Sequence, residues 1–187
     1  MKQNVTLIGM PGAGKSTVGV ILAKILSFSF VDTDILIQIN RGKSLQQILD
    51  ESGHLNLRKI EEEEILKINT VNHVIATGGS AVYSEKAMQH LQSISEIIFL
   101  QADYEEISKR IHNFKTRGIA KKKNQTFREL YDERQILYRR YAQVTLDCNR
   151  MDQDTIAELI AGKFQEKITE AVTPRHDAKK ENQHGKE

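Results

Sequence analysis

No apolar run in this sequence reaches the roughly 18–20 residues that a membrane-spanning helix requires. A membrane-embedded protein is therefore not expected. The N-terminus also lacks the pattern of a secretory leader: "VTLIGM" is short, broken by glycine and without a small-residue cleavage site. Cys148 is the single cysteine, so no intramolecular disulfide can form, and no Cys/His metal cluster is visible. The formal net charge is only +2, which gives no general case for a nucleic-acid or membrane partner. Neither an internal repeat nor an interdomain linker interrupts the chain. What these absences leave is a cytoplasmic protein of one α/β domain, spanning 1–172 of the 187 residues. The remainder, 173–187, "TPRHDAKKENQHGKE", has almost nothing to bury and is expected to be a disordered polar tail.

What is present begins with "LIGMPGAGKSTVG", Leu7 to Gly19. Its core, Gly9 to Ser16, fits G-x-x-x-x-G-K-[ST], the phosphate-binding loop. Burying a phosphate takes many fixed donors. A glycine-rich turn aims backbone N–H groups into one concavity, and the next helix adds its N-terminal N–H groups and positive dipole end. Gly12, Ala13, Gly14, Lys15, Ser16 and Thr17 would form that cradle for a bound phosphate group. Lys15 brings positive charge to the outer phosphates, and the Ser16 hydroxyl suits Mg²⁺. The motif counts only between a strand and a helix. Val5–Gly9 reads as the strand, and Thr17–Leu26 has helical apolar spacing.

Further strands are expected at Phe28–Val31, Val74–Thr77, Ile97–Leu100 and Val144–Asp147. Helices are expected at Ser44–Glu51, Leu55–Ile68, Lys86–Gln92, Tyr104–His112, Thr126–Tyr141 and Asp152–Val172. This alternation predicts a parallel sheet covered on both faces. The stretch Asn113–Gln125 is rich in Lys and Gly and shows no apolar period, so it is expected to be a mobile lid without apolar anchors.

Four acceptor-side signals follow, each with a plainer reading. Asp32 and Asp34 close the second strand; one could hold Mg²⁺ through water and the other take a hydroxyl proton, or Asp32 could simply cap a helix. Arg58 and Glu61 share a helix face, the pattern of a surface ion pair. Gly78-Gly79-Ser80 is a turn that could present N–H groups to a ligand. Arg134 would by default be a solvated helix residue, and Lys121-Lys-Lys123 a solvated basic run.

In order and spacing, "GMPGAGKSTVG", "FVDTD", "LRKIEEEE", "ATGGSAV" and "ERQILYRRYA" resemble the shikimate kinase family, over about Asn4 to Phe164. The resemblance implies a P-loop three-layer α/β/α fold with a five-stranded parallel sheet in the order 2-3-1-4-5. It implies transfer of the ATP γ-phosphoryl group to the 3-hydroxyl of shikimate, in aromatic amino acid biosynthesis, by a monomer. Asp34 would bind the substrate hydroxyls and act as base, and Asp32 would hold Mg²⁺ through water. Arg58, Arg134 and the Gly79 backbone would bind the carboxylate. Arg117 would reach the ATP phosphates, with Arg110 and Arg150 beside the adenine. The chain departs from the family pattern at Leu49, His54, Leu57, Ser80, Gly118-Ile119-Ala120 and Ile136. Those departures touch the apolar pocket wall and the lid. They leave two other readings: a paralogue for another hydroxylated metabolite such as gluconate, or a nucleotide-binding protein with little kinase activity.

Overall fold

Strand β1, Asn4–Ile8, is buried along its whole length, and so are Ile97 to Leu100 in β4, Ser95–Gln101. Strands whose side chains are buried on both faces need layers above and below them. The computed structural model, which describes residues 3–111 and 118–172, supplies both. Its sheet has five strands in the order β2-β3-β1-β4-β5, with β2 at Ser29–Asp32, β3 at His73–Ala76 and β5 at Val144–Asp147. Every neighbouring pair is parallel. Sheet, direction and order all match expectation.

Helix α1, Lys15–Leu26, packs against α7, Gln153–Val172, and Phe28 meets Phe164 edge-to-face at 5.9 Å. Helices α4, Glu85–Ile94, and α6, Phe127–Tyr141, lie against β4. The connections leaving β1 and β4 run toward opposite edges of the sheet. Such a reversal opens a crevice outside the carboxyl ends of the strands.

Local chemistry fixes the helix starts. Asp32 caps α2, Thr33–Arg41, by accepting from the N–H of Asp34 at 3.0 Å and of Ile35 at 3.3 Å. Ser44 with Gln47 forms a capping box for α3, Leu45–Leu66, and Thr126 with Glu129 forms one for α6. At Gly53 the backbone leaves helical geometry (φ 78°, ψ 170°), which breaks α3 where the sequence suggests two separate helices. Helix α5 spans Tyr104–Arg110, and His112, the expected end, lies outside the described residues.

Two elements go beyond the expected set: α2 itself, and a 3₁₀ turn at Ala81–Tyr83. The polar tail and the lid residues 113–117, including Arg117, lie outside the described residues. The rest of the lid contradicts the expected lack of anchors. Ile119 and Ala120 are buried, and Ala120 joins a small apolar cluster with Ile37, Ile48, Leu57 and Ile60. The Gly118 N–H also donates to Gln46 Oε1 at 3.0 Å. Among the described residues, no helix is long and apolar enough to cross a membrane.

Leu22 is fully buried on the inner face of α1. Leu22→Ala should destabilise the fold by about 2–5 kcal/mol, because the cavity it leaves collapses only in part. Urea unfolding should show a lower midpoint with an unchanged slope; an unchanged midpoint would contradict the packing described.

Candidate active site

The crevice holds a cleft of about 640 Å³ that runs from the phosphate loop to the start of the described part of the lid, Gly118 to Ala120. On one wall, Gly12 (φ 85°) and Gly14 (φ 95°) adopt left-handed backbone. Gly14 caps α1 without any side-chain bond, so the N-terminal N–H groups of that helix remain free of a side-chain cap. Gly12, Gly14, Lys15, Ser16 and Thr17 line the cleft, while Ala13 is buried behind the loop. The Lys15 ammonium folds back onto the loop, donating to Gly9 O at 2.8 Å and Met10 O at 3.0 Å. Burial lowers its pKa to about 8, against the opposing pull of Asp34 and Asp32.

Asp32 does cap a helix, and it also meets the phosphate loop. One carboxylate oxygen caps α2, and the other accepts from Ser16 Oγ at 2.6 Å. The pairing puts a hydroxyl and a carboxylate oxygen together beside the phosphate cradle. Such hard oxygen donors fit Mg²⁺, which commonly takes one or two protein oxygens and completes its shell with water and substrate phosphates. Among the described residues there is no cluster of three or more His, Cys, Asp or Glu that could hold a metal alone.

The opposite wall is built around glycine. The Gly78 N–H donates to Thr33 Oγ1 at 3.0 Å, and Gly79 O accepts from Tyr138 OH at 2.7 Å. Tyr138 is itself fixed by stacking on Phe99, with ring centroids 5.1 Å apart. A Cβ on Gly78 would collide with Glu61 Oε1 and Asp34 Oδ1. One on Gly79 would lie 2.8 Å from both Arg134 Nη1 and Pro11 Cδ. The two glycines thus let acidic, basic and loop residues converge on one strand end.

Neither plain reading of the acceptor residues survives. Arg134 is not solvated; it is 1% exposed. Glu61 is not part of a surface ion pair; it is buried and accepts a short hydrogen bond from Ser80 Oγ. Burial foremost, then Asp34, raises the Glu61 pKa to about 7, against the Ser80 bond. Arg58 and Arg134, from α3 and α6, both donate to Ala120 O, at 3.4 and 2.8 Å. Among the described residues the Nε of each finds no acceptor. Burial lowers the pKa of Arg58. Arg110 reaches the cleft rim and pairs with Glu106 at 3.6 Å. Arg150 sits in an exposed left-handed turn (φ 58°) and does not line the cleft. The basic run is partly tied down, since Lys121 Nζ donates to Gln125 O at 2.9 Å.

Sequence reasoning passed over Tyr83 and Tyr138 as site residues, and it gave Ser80 only as part of a turn and of the altered pocket. Their roles depend on contacts between segments far apart in the chain. The one available signal was their closeness to Gly78-Gly79 and to Arg134.

The family model described as shikimate kinase matches residues 11–168. A shikimate kinase of Thiobacillus denitrificans is 33% identical over 166 residues, 87% of this chain and 91% of the relative. One from Caldanaerobacter subterraneus subsp. tengcongensis is 35% identical over 159 residues, 83% of this chain and 92% of the relative. Among solved structures, a shikimate kinase from Acinetobacter baumannii in complex with shikimate superposes with a TM-score of 0.81 at 28% identity. That match covers 91% of this chain and 96% of the other.

The raised pKa of Glu61 has a defined consequence for stability. The native state holds this proton more tightly than the unfolded chain does. The stabilisation is therefore complete below the ordinary value of 4.5 and is lost as pH rises through about 7. Glu61→Gln should lose less stability than wild type between about pH 5 and about pH 7.5 in urea titrations. Parallel pH slopes for the two proteins would refute the buried, proton-retaining state of Glu61.

Proposed function

The chain belongs to the shikimate kinase family, and on that premise we propose that it transfers the γ-phosphoryl group of ATP to the 3-hydroxyl of shikimate. This is a step of aromatic amino acid biosynthesis, and we place it in the cytoplasm, carried out by a monomer without nucleic-acid or membrane partners. The observation that carries the reading is the meeting of two guanidiniums, buried Arg134 and half-buried Arg58, on one point across the cleft from the phosphate loop. Planar forks with spare donors suit a carboxylate, which can accept two parallel bonds from each. A gluconate acceptor or a merely nucleotide-binding role has no such specific support.

The chemistry needs little beyond position and charge. The loop N–H groups and the α1 N-terminus take the phosphates of ATP. Lys15 exchanges two neutral carbonyls for phosphate oxygens, and the added negative charge favours its protonated form. Ser16, and Asp32 through water, would hold Mg²⁺, which when bound neutralises phosphate charge. Asp34 faces the acceptor hydroxyl and takes its proton as the oxygen attacks the γ-phosphorus. One P–O bond forms to the substrate, and the bond to the ADP oxygen breaks. The Gly79 backbone and the two arginines hold the acid at the far end. Arg117 and Arg110 would add charge on the nucleotide side, and Arg150 would flank the adenine.

A coupled ADP-release assay with shikimate, quinate and gluconate tests the acceptor; turnover is expected with shikimate alone. Asp34→Asn keeps the shape but loses the base, so kcat should fall by about 10²–10⁴-fold with ATP binding nearly intact. Retention of wild-type kcat would remove Asp34 from the mechanism.

The carboxylate clamp is open to a thermodynamic cycle. Arg58→Ala and Arg134→Ala should each weaken binding of the acid by about 2–5 kcal/mol, as when one partner of a desolvated charge pair is removed. The methyl ester of shikimate should bind wild type poorly and lose little more in either variant. Equal penalties for acid and ester would mean that the arginines do not read the carboxylate.

A further inference from the structure

Two positive charges cannot be held side by side in a partly buried site without something to offset their repulsion and set their orientation. Arg134 is enclosed by α6 and its surroundings. Arg58 is only half-buried, and its polar contacts among the described residues reduce to the 3.4 Å bond to Ala120 O. Its helix neighbour Glu61, one turn away, is bonded to Ser80 instead. What does hold Arg58 is an aromatic face. Its Cζ lies 3.4 Å from the centroid of the Tyr83 ring, and the Cζ of Arg134 lies 5.5 Å from the same centroid.

Tyr83 ends the 3₁₀ turn that follows Gly78-Gly79-Ser80, so the segment that forms the acceptor floor also delivers the ring. A guanidinium centred at 3.4 Å is at contact distance. The electron-rich face attracts the cation and fixes the guanidinium against the ring. The Tyr83 hydroxyl lies beside the Glu133 carboxylate without a well-formed hydrogen bond, and among the described residues no hydrogen bond joins it to Arg58. Burial first, and the neighbouring Glu133 carboxylate second, raise its pKa, so the ring stays neutral at ordinary pH.

We propose that Tyr83 is a positioning residue that sets the orientation of Arg58, and so the affinity for the acceptor carboxylate, through its aromatic face and not its hydroxyl. The role rests on the shikimate kinase reading given above. It confines Tyr83 to the ground-state and transition-state binding of the acid, with no part in handling ATP or the hydroxyl proton.

Three proteins test it: wild type, Tyr83→Phe and Tyr83→Leu, each assayed for KM and kcat with shikimate, its methyl ester and ATP. Tyr83→Leu keeps apolar bulk and removes the ring. It should raise KM for shikimate by about 5- to 30-fold, the equivalent of a partly desolvated cation–π contact. Its kcat at saturation, KM for ATP and KM for the ester should stay within about two-fold of wild type, because uniform binding alone is lost. Tyr83→Phe should behave as wild type. A Leu variant with unchanged KM for the acid overturns the proposal, as does a Phe variant as impaired as Leu. Equal losses for acid, ester and ATP would mark a merely structural role and overturn it too. If wild-type protein releases no ADP with shikimate, the proposed function itself fails and the role of Tyr83 with it. Normal wild-type turnover with an unaltered Leu variant sinks the positioning role alone.

Discussion

Lys15, Asp32, Asp34, Glu61 and Arg134 share one strand-end crevice, and each feels the charge of others there. Their mutual compensation is the constraint on which the rest depends. An unpaired buried charge costs several kcal/mol, and removing one member of such a group strands its partner. The site therefore works as a set. Burial lowers the pKa of Lys15 while the two aspartates raise it; burial and Asp34 together raise that of Glu61 while Arg134 and Lys15 lower it. Neutral groups complete the balance: Gly9 O and Met10 O for Lys15, Ser80 Oγ for Glu61, the Tyr83 face for Arg58.

The backbone makes this crowding possible. Parallel strands buried on both faces end together, and their connections diverge at β1 and β4, so the crevice is a product of topology before any side chain is chosen. The loop closes over the end of β4 so tightly that a Cβ on Gly9 would lie 2.8 Å from Leu100 O. Gly78 and Gly79 perform the same service on β3. Their missing side chains give room to Glu61, Asp34 and Arg134. Tyr138 then joins the layers: it stacks on Phe99 of the sheet and pins Gly79 O from α6.

How much of this the sequence discloses depends on the range of the interaction. The phosphate loop and the capping residues depend on neighbours within a few positions, and they are legible. The parallel sheet follows from alternation, although its strand order came from family resemblance. Helix α2 is obscured because its apolar residues mislead: Ile37 is buried, while Ile35 and Ile39 are 50% and 70% exposed. The burial of Glu61 and Arg134 is hidden in charged helices whose periodicity suggests solvent, since each is enclosed by a different segment. Ala120 looks unanchored because its anchor is built from α2 and α3, far away in the chain, and Ile119 because it joins the main core.

That last contact bears on how the acceptor end responds to an acid. Ala120 O accepts from both clamp arginines at once, so a lid carbonyl holds donors suited to a carboxylate. The carbonyl is a neutral acceptor, and one of its two bonds is long at 3.4 Å. A carboxylate makes charge-assisted bonds to guanidinium that are roughly twice as strong as neutral ones, and it has oxygens enough for both forks. Competition for these donors therefore favours the acid. The Nε groups that now lack acceptors add to the difference, because they gain a partner only when a second acceptor oxygen arrives. Ala120 would still be held by apolar packing against Ile37, Ile48, Leu57 and Ile60, which involves no donor that the acid removes. Leu57 belongs to that apolar seat and Leu49 packs against it, so the seat stays intact while the polar half of the contact changes hands. On the proposed reading, carboxylate recognition and lid packing would meet at one residue but rest on separable forces, the first electrostatic and the second hydrophobic.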